Sequence, residues 1–175
     1  MSRWIGPLIV AVLAALAAWY TTLAAAPMVI MDRAWEQLAA QSGFNRMAHG
    51  PLVTAESQTI VRPSPDLAYS VCAFDLTQGP LRVHAHPVPG HYWSLTVFDS
   101  ETNVAFVESD RDSKGAPVEV ILATADQTVP SGVRKVTMPG AKGVALLRVL
   151  LNDRAEFDAV TKDRKQSYCR PLKQS

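Results

Sequence analysis

The segment LAYSVCAFDLTQGPLRVHAHPVPGHYWSLTVFD, residues 67–99, decides the fold class. It contains three runs rich in β-branched, aliphatic and aromatic residues, separated by the turns TQGP (77–80) and PVPG (87–90). Glycine and proline in these turns supply the backbone angles that a chain reversal needs. Short apolar runs closed by such turns are typical of β-strands. The segment therefore predicts three strands in succession.

The same pattern continues toward the C-terminus and extends the prediction to seven strands. The predicted strands are residues 67–76, 81–86, 91–98, 104–108, 118–123, 133–138 and 144–151. Strands at this spacing indicate a sandwich or a partly closed barrel. The last one is apolar on both faces apart from Arg148, which predicts a central strand covered on both sides. The predicted fold class is all-β, with an antiparallel sandwich.

A long uncharged segment precedes these strands. Residues 4–31 include no charged side chain, and this length exceeds the roughly 20 residues that cross a bilayer. Arg3 lies before the segment, so the positive-inside rule places the N-terminus in the cytoplasm and the rest of the chain outside it. Residues 1–31 are predicted to be a single-pass inner-membrane anchor. A cleaved signal peptide is the alternative, because the alanines at 24–26 offer a small-residue cleavage site.

Residues 32–62 are predicted to be a juxtamembrane helix followed by an irregular connector. Trp35 and Leu38 recur at helical spacing, and Gly43 lies where a left-handed residue ends a helix. Residues 60–61, Ile-Val, have the residue types of a strand start.

Residues 63–175 are predicted to be a periplasmic β-domain that closes with a helix at 153–166. Asp153 is a helix N-cap with Glu156 three residues later, as in a capping box. One C-terminal α-helix is therefore expected to pack on the sheets.

Two stretches of the chain resemble domain of unknown function family 1254. Residues 63–70 and 75–80, PSPDLAYS and DLTQGP, are similar to the family's P-N-x-D-T-L-Y-S and D-L-x-x-G-P. Residues 91–103, HYWSLTVFDSETN, are similar to its R-Y-Y-S-x-x-x-x-D-x-x-T-N. The positions that carry the likeness are Asp66, Tyr69, Asp75, Gly79, Pro80, Tyr92, Asp99 and Asn103. Ser64 and His91 replace the usual Asn and Arg, so a ligand role for those two residues does not carry over.

The resemblance implies a β-sandwich of jelly-roll type, in agreement with the strand prediction. Larger members carry a second β-sandwich domain, of family 1214, and short anchored members look like separated halves of that two-domain protein. The resemblance therefore implies that a second membrane-anchored β-sandwich protein, of family 1214 type, is the partner. No enzymatic activity comes with the family.

Three of the four histidines, His84, His86 and His91, lie within eight residues of one another. If residues 87–90 form a hairpin loop, the three imidazoles share one face of two paired strands. Three nitrogens with an open position fit a divalent transition metal such as zinc. The alternative is an exposed polar hairpin on which Arg82 repels a cation.

Only two cysteines, Cys72 and Cys169, are present. Outside the cytoplasm thiols are oxidised, so a disulfide between them is predicted, with two separate free thiols as the alternative.

The charge balance argues against a nucleic-acid-binding protein. Seventeen Lys and Arg oppose sixteen Asp and Glu, with no excess of basic residues to neutralise phosphates. The chain also lacks a G-x-S-x-G nucleophile motif.

Two functions remain. The first is a non-enzymatic structural or interaction module of the cell envelope. The alternative is a metal-dependent enzyme or small-molecule binder that uses the histidine cluster.

Overall fold

The structure is a computed structural model that describes residues 2–54 and 63–172. After a 3₁₀ turn at Ser2–Trp4, the elements in chain order are α1 (Ile5–Ser42), β1 (Ala48–His49), β2 (Leu67–Asp75), β3 (Leu81–Ala85), β4 (Trp93–Asp99), β5 (Val104–Ser109), β6 (Val118–Thr124), β7 (Lys135–Met138), β8 (Lys142–Leu150), α2 (Phe157–Arg164) and β9 (Tyr168–Pro171). A 3₁₀ turn, Arg154–Glu156, leads into α2. The strand start predicted at residues 60–61 lies outside the described residues.

Two sheets pack around one core, which confirms a mainly β fold with two flanking helices. Sheet I has the strand order β1-β2-β8-β4-β5, and sheet II the order β7-β6-β3-β9. Each of the seven predicted strands forms, while the short strands β1 and β9 were not predicted. Jelly-roll connectivity stays a prediction.

One strand pair departs from the predicted antiparallel arrangement. β6 and β7 are parallel, with Ile121 opposite Lys135. Residues 125–134 run back along β6 before β7 begins, and the Ile121 N–H donates to the Arg134 carbonyl at the start of that pairing. The return of the chain makes the pair parallel.

The core lies between the sheets and includes Trp93, Phe74, Leu95, Leu122 and Leu147. β8 is the middle strand of sheet I, as its two apolar faces predicted. Its inward side chains enter the core, and Val144 on its other face packs under α1. Gly143 lies against the ring of Phe74, where a Cβ atom would clash.

The predicted disulfide between Cys72 and Cys169 is present. Its Cα atoms are 6.4 Å apart, and both residues are buried in the core. Because Cys72 is in β2 and Cys169 in β9, the bond joins sheet I to sheet II. The chain-entropy model assigns a bridge across such a long loop about 4–5 kcal/mol of stability.

α1 is a single helix of 38 residues that continues from the apolar segment to the β-domain. The helix predicted separately after residue 32 is its C-terminal part, and Gly43 ends it with a φ of 76°. The indole N–H of Trp35 donates to the Phe74 carbonyl at 2.9 Å, and its ring stacks on Phe44 with centroids 4.3 Å apart. The Lys142 ammonium lies 4.2 Å from the centroid of the Trp35 ring. These contacts fasten the end of α1 to sheet I.

Candidate functional site

The three clustered histidines do not share one face, because the predicted hairpin is wrong. β3 pairs with β6 and β9, whereas β4 pairs with β5 and β8. The loop between β3 and β4 carries the chain from sheet II to sheet I, and its Val88 is buried in the core between them. His84 and His86 therefore lie on the side of sheet II, and His91 lies beside sheet I.

His91 makes its contacts with other parts of the chain. Its Nδ1 is 3.0 Å from the Leu150 carbonyl oxygen, and its Nε2 is 3.8 Å from a Glu156 carboxylate oxygen. Over residues 2–54 and 63–172, the structure has no group of three His, Cys, Asp or Glu side chains that could hold a metal ion. The described residues thus do not assemble the predicted three-imidazole site.

His84 instead belongs to a polar cluster on the outward face of sheet II. We call this cluster the sheet II face; it consists of Arg82, His84, Glu119, Tyr168 and Arg170. The strand register places Arg82 opposite Arg170, and His84 between Tyr168 and Glu119. Directly opposed residues on neighbouring strands point to the same face. The register thus explains why side chains from β3, β6 and β9 meet.

Three of these side chains are stacked in layers. The His84 and Tyr168 rings lie with centroids 4.9 Å apart and planes 14° apart. The Arg170 guanidinium lies on the Tyr168 ring, 4.0 Å from its centroid. Such cation–π contact holds a guanidinium in a defined plane. His86 is next to the stack, 6.3 Å from the His84 ring.

Glu119 supplies the negative charge of the sheet II face. Its carboxylate is 3.7 Å from Arg82 Nε and 3.6 Å from His84 Nδ1, and the Tyr168 hydroxyl donates to it over 3.4 Å. Burial lowers the pKa of His84, although the nearby Glu119 acts in the opposite direction. At neutral pH the imidazole is therefore uncharged. In the described part of the chain, Arg82 Nε is buried with no hydrogen-bond partner.

A shallow depression of about 340 Å³ lies beside this cluster. Arg82 and Arg170 line its polar side, and Pro171 and Leu172 line its apolar side. The sequence indicated Arg82 only as a residue that repels cations, and it did not indicate Arg170, because β9 was not predicted. The register of β9 against β3 places the two residues directly opposite each other.

A second polar cluster is buried under α2, and sequence analysis missed it. Arg164 is only 1% exposed and donates to the carbonyls of Tyr69 and Gly50 and, at 3.2 Å, to the Ser70 hydroxyl. His49 Nδ1 is 2.9 Å from the same hydroxyl. Burial lowers the pKa of Arg164 to about 10. Burial, followed by the charges of Arg164 and Lys165, lowers the pKa of His49 to about 4.

This cluster docks α2 against sheet I. Each acceptor named above is an uncharged oxygen on β2 or directly after β1, so the guanidinium is solvated by carbonyl and hydroxyl groups instead of by a carboxylate. Buried polar groups need such partners, because leaving one unpaired costs about 1–3 kcal/mol. The arrangement explains the burial of a charged residue without assigning it to catalysis.

The family-like residues at 99–103 build a turn. Asp99 is buried, and its Oδ1 accepts from the backbone N–H groups of Glu101 and Asn103 at 2.8 and 2.9 Å. The Asn103 amide donates to Asp99 Oδ2 at 3.0 Å. Thr102 has a φ of 68°, and the Asp99 hydrogen bonds hold the turn in that conformation. The Asp and Asn of this motif are structural.

The other family-like residues also lie at strand ends and turns. Asp75 accepts from the Thr77 N–H at 2.9 Å, and Gly79 follows in the same turn with a φ of 125°. The Tyr69 hydroxyl accepts from the Ser64 N–H at 2.8 Å. Pro80 is buried, the Asp66 carbonyl accepts from Leu151, and the Tyr92 carbonyl accepts from Leu150. The motif residues thus fix the paths of the strands.

The class of protein is a two-sheet β-domain on which an N-terminal apolar helix is docked. Its motif residues build turns. The chain belongs to the family described as "Protein of unknown function (DUF1254)", whose sequence profile matches residues 44–171. The resemblance seen in the sequence is confirmed. No protein of curated function matches the chain significantly.

The chain is similar to solved structures, and the first of the two below supports the same fold. The VPA0106 protein from Vibrio parahaemolyticus is 17% identical, with a TM-score of 0.61 over 81% of this chain and 35% of its own. An uncharacterised protein from Burkholderia cenocepacia is 14% identical, with a TM-score of 0.48 over 75% of this chain and 37% of its own. The chain therefore spans about a third of the length of the solved structures that it matches.

Proposed function

We propose that this protein is a single-pass inner-membrane protein with a non-enzymatic β-domain in the periplasm, where the domain pairs with a second membrane-anchored β-sandwich protein of family 1214 type. α1 carries the proposal. None of its membrane-length apolar window is buried by the rest of the structure, and its mean hydropathy is 2.1. Exposed apolar surface of this length is stable in a bilayer and costly in water.

The compartment is supported by two observations. Arg3 precedes the apolar segment, which favours a cytoplasmic N-terminus. The buried Cys72–Cys169 bond is of the kind that persists in oxidising compartments and is rare in the cytosol. Both observations favour a domain on the periplasmic side.

The pairing is supported by a longer protein that contains the same fold. The fold matches only 35% of the VPA0106 chain, so the same domain occurs there inside a much longer protein. The family resemblance implies that larger members carry a second β-sandwich domain beside this one. The motif residues support a non-enzymatic role, because Asp99 and Asn103 are engaged in a turn instead of facing a cleft.

The test is affinity purification of the full chain from gently solubilised native membranes, followed by mass spectrometry with quantification. We expect one membrane-anchored β-protein to be retained at near-stoichiometric amount. An unrelated single-pass protein carrying the same tag is the control for co-solubilised neighbours. A protein that emerges alone and monodisperse would overturn the pairing, and recovery from the soluble fraction would overturn the anchoring.

A further inference from the structure

The sheet II face carries a second, independent inference. We propose that Arg82 and Arg170 form a binding site for a phosphate group. The two residues are directly opposite each other on β3 and β9, and together with Pro171 and Leu172 they line the shallow depression. Opposed side chains on adjacent strands have Cβ atoms about 5 Å apart, so one small anion can contact both guanidiniums.

The hydrogen-bonding groups of this pair are incompletely used. Arg82 Nε is buried, and its nearest carboxylate oxygen, on Glu119, is 3.7 Å away, beyond hydrogen-bond distance. Arg170 contacts the Tyr168 ring through the face of its guanidinium. Its N–H groups point out from the edge of that plane, and in residues 63–172 no hydrogen bond or ion pair engages them. The contact with the Tyr168 ring orients the N–H donors of Arg170 and leaves them able to form hydrogen bonds.

The charges of the sheet II face also favour an anion. Arg82 and Arg170 carry two positive charges, Glu119 carries one negative charge, and His84 is neutral because burial lowers its pKa. The sheet II face therefore has a net charge of +1, and its two positive side chains are opposite each other on neighbouring strands. Like charges directly opposite on neighbouring strands are destabilising. A bound anion removes this repulsion.

The geometry favours phosphate over carboxylate. A carboxylate has two oxygens in one plane, and one guanidinium fork can engage both of them side by side. Contact with two guanidiniums on separate strands needs a ligand with oxygens in more than one direction, as the tetrahedral phosphate group has. The same group occurs in free phosphate compounds and in phospholipid headgroups, so the source is decided by experiment.

The test uses the full chain in dodecyl maltoside micelles, which contain no phosphate, titrated calorimetrically with inorganic phosphate. We expect saturable binding that Arg82→Gln and Arg170→Gln each weaken about tenfold or more, since each removes a charged bidentate donor. Arg170→Lys keeps the charge but not the fork and is expected to weaken binding as well. Arg111→Gln is the matched control, because Arg111 also lies over a tyrosine ring, that of Tyr92, at 5.7 Å.

Several outcomes would overturn the site. They are the absence of saturable binding, an equal loss in Arg111→Gln, and acetate binding as tightly as phosphate at the same ionic strength. Circular dichroism of each variant shows that a loss of binding is not a loss of folding.

The source of the phosphate is found by repeating the titration in nanodiscs. If headgroups of the protein's own bilayer occupy the site, phosphatidylglycerol nanodiscs weaken the apparent affinity for inorganic phosphate, and phosphatidylcholine nanodiscs do so less. If the ligand is a soluble phosphate compound, the affinity is the same in both. Each result identifies a source for the same site.

Discussion

His49 is a titratable residue held uncharged beside a buried cation. Its pKa is lowered from 6.5 to about 4 by burial and by Arg164 and Lys165. In the unfolded chain the imidazole regains its ordinary pKa. Between these two values the unfolded chain binds a proton that the folded domain does not. The part of the folding stability that is linked to His49 is therefore full above about pH 6.5 and is lost as the pH falls toward 4.

We therefore predict that His49→Asn reduces the acid sensitivity of folding. The shift corresponds to at most about 3 kcal/mol, and to about 1–2 kcal/mol once solvent screening of this half-buried ring is allowed for. Urea unfolding of the full chain in micelles at about pH 7 and about pH 4.5 measures it. The wild type should lose more stability between the two conditions than the variant. Equal losses would contradict the prediction.

At the residue scale, the sequence predicted the bonding partner of a side chain correctly where only one partner was available. The two cysteines of the chain left one possible disulfide, and Asp153 with Glu156 formed the predicted capping box. The metal site depended instead on a pairing of β3 with β4 that does not occur. Arg164 was missed because nothing in its local sequence distinguishes a buried arginine from the solvated basic residues around it.

Among the elements, α1 is notable because its two ends have different surroundings. Its N-terminal part is apolar and exposed, and its C-terminal part packs Trp35, Leu38 and Ala39 on sheet I. α1 is continuous from Ile5 to Ser42 and includes both parts, with Pro27 inside it. The domain is therefore held at a defined orientation to the axis of α1.

We predict that this attachment depends on Trp35. Trp35→Ala removes a buried ring and a hydrogen bond to Phe74, so the domain should lose about 3–5 kcal/mol. Trp35→Phe keeps an aromatic ring and removes the hydrogen bond, for a loss of about 1 kcal/mol. Urea unfolding and proteolysis at Arg46, beyond the end of α1, are the measurements. Trp19→Ala is the control, because Trp19 is 64% exposed on the apolar part of the helix.

Proteolysis separates two ways in which this prediction fails. If Trp35→Ala leaves both stability and cleavage unchanged, α1 is not fastened by this residue. If Trp19→Ala destabilises the domain equally, the apolar part of α1 also contacts it.

At the element scale, seven strands were predictable because each lies in a sequence run of at least five residues that is rich in apolar side chains and is closed by turn chemistry. β1 has two residues and β9 four, too few to show a period. Both are defined by long-range pairing, β1 with β2 and β9 with β3. The sheet II face could not be predicted for the same reason, since half of its basic pair is on β9.

Taken as a whole, the molecule combines a helix long and apolar enough to cross a membrane with a domain that contains a disulfide, and the proposed orientation accounts for both features. The apolar segment precedes the domain, and Arg3 precedes the apolar segment. If the N-terminus is cytoplasmic, Cys72 and Cys169 are exported before the domain folds and can be oxidised there. In the opposite orientation, the thiols would stay in a reducing compartment.

We predict this orientation for single-cysteine labelling of the full chain in spheroplasts. The native cysteines are buried and bonded to each other, so they do not react. Gln78→Cys, in an exposed turn of the domain, should react with a membrane-impermeant maleimide in intact spheroplasts. Ser2→Cys should react only after the membrane is permeabilised, because the charge of Arg3 keeps that end on the cytoplasmic side. The reverse pattern would place the domain in the cytoplasm. Labelling of Ser2→Cys in intact spheroplasts would exclude a cytoplasmic N-terminus.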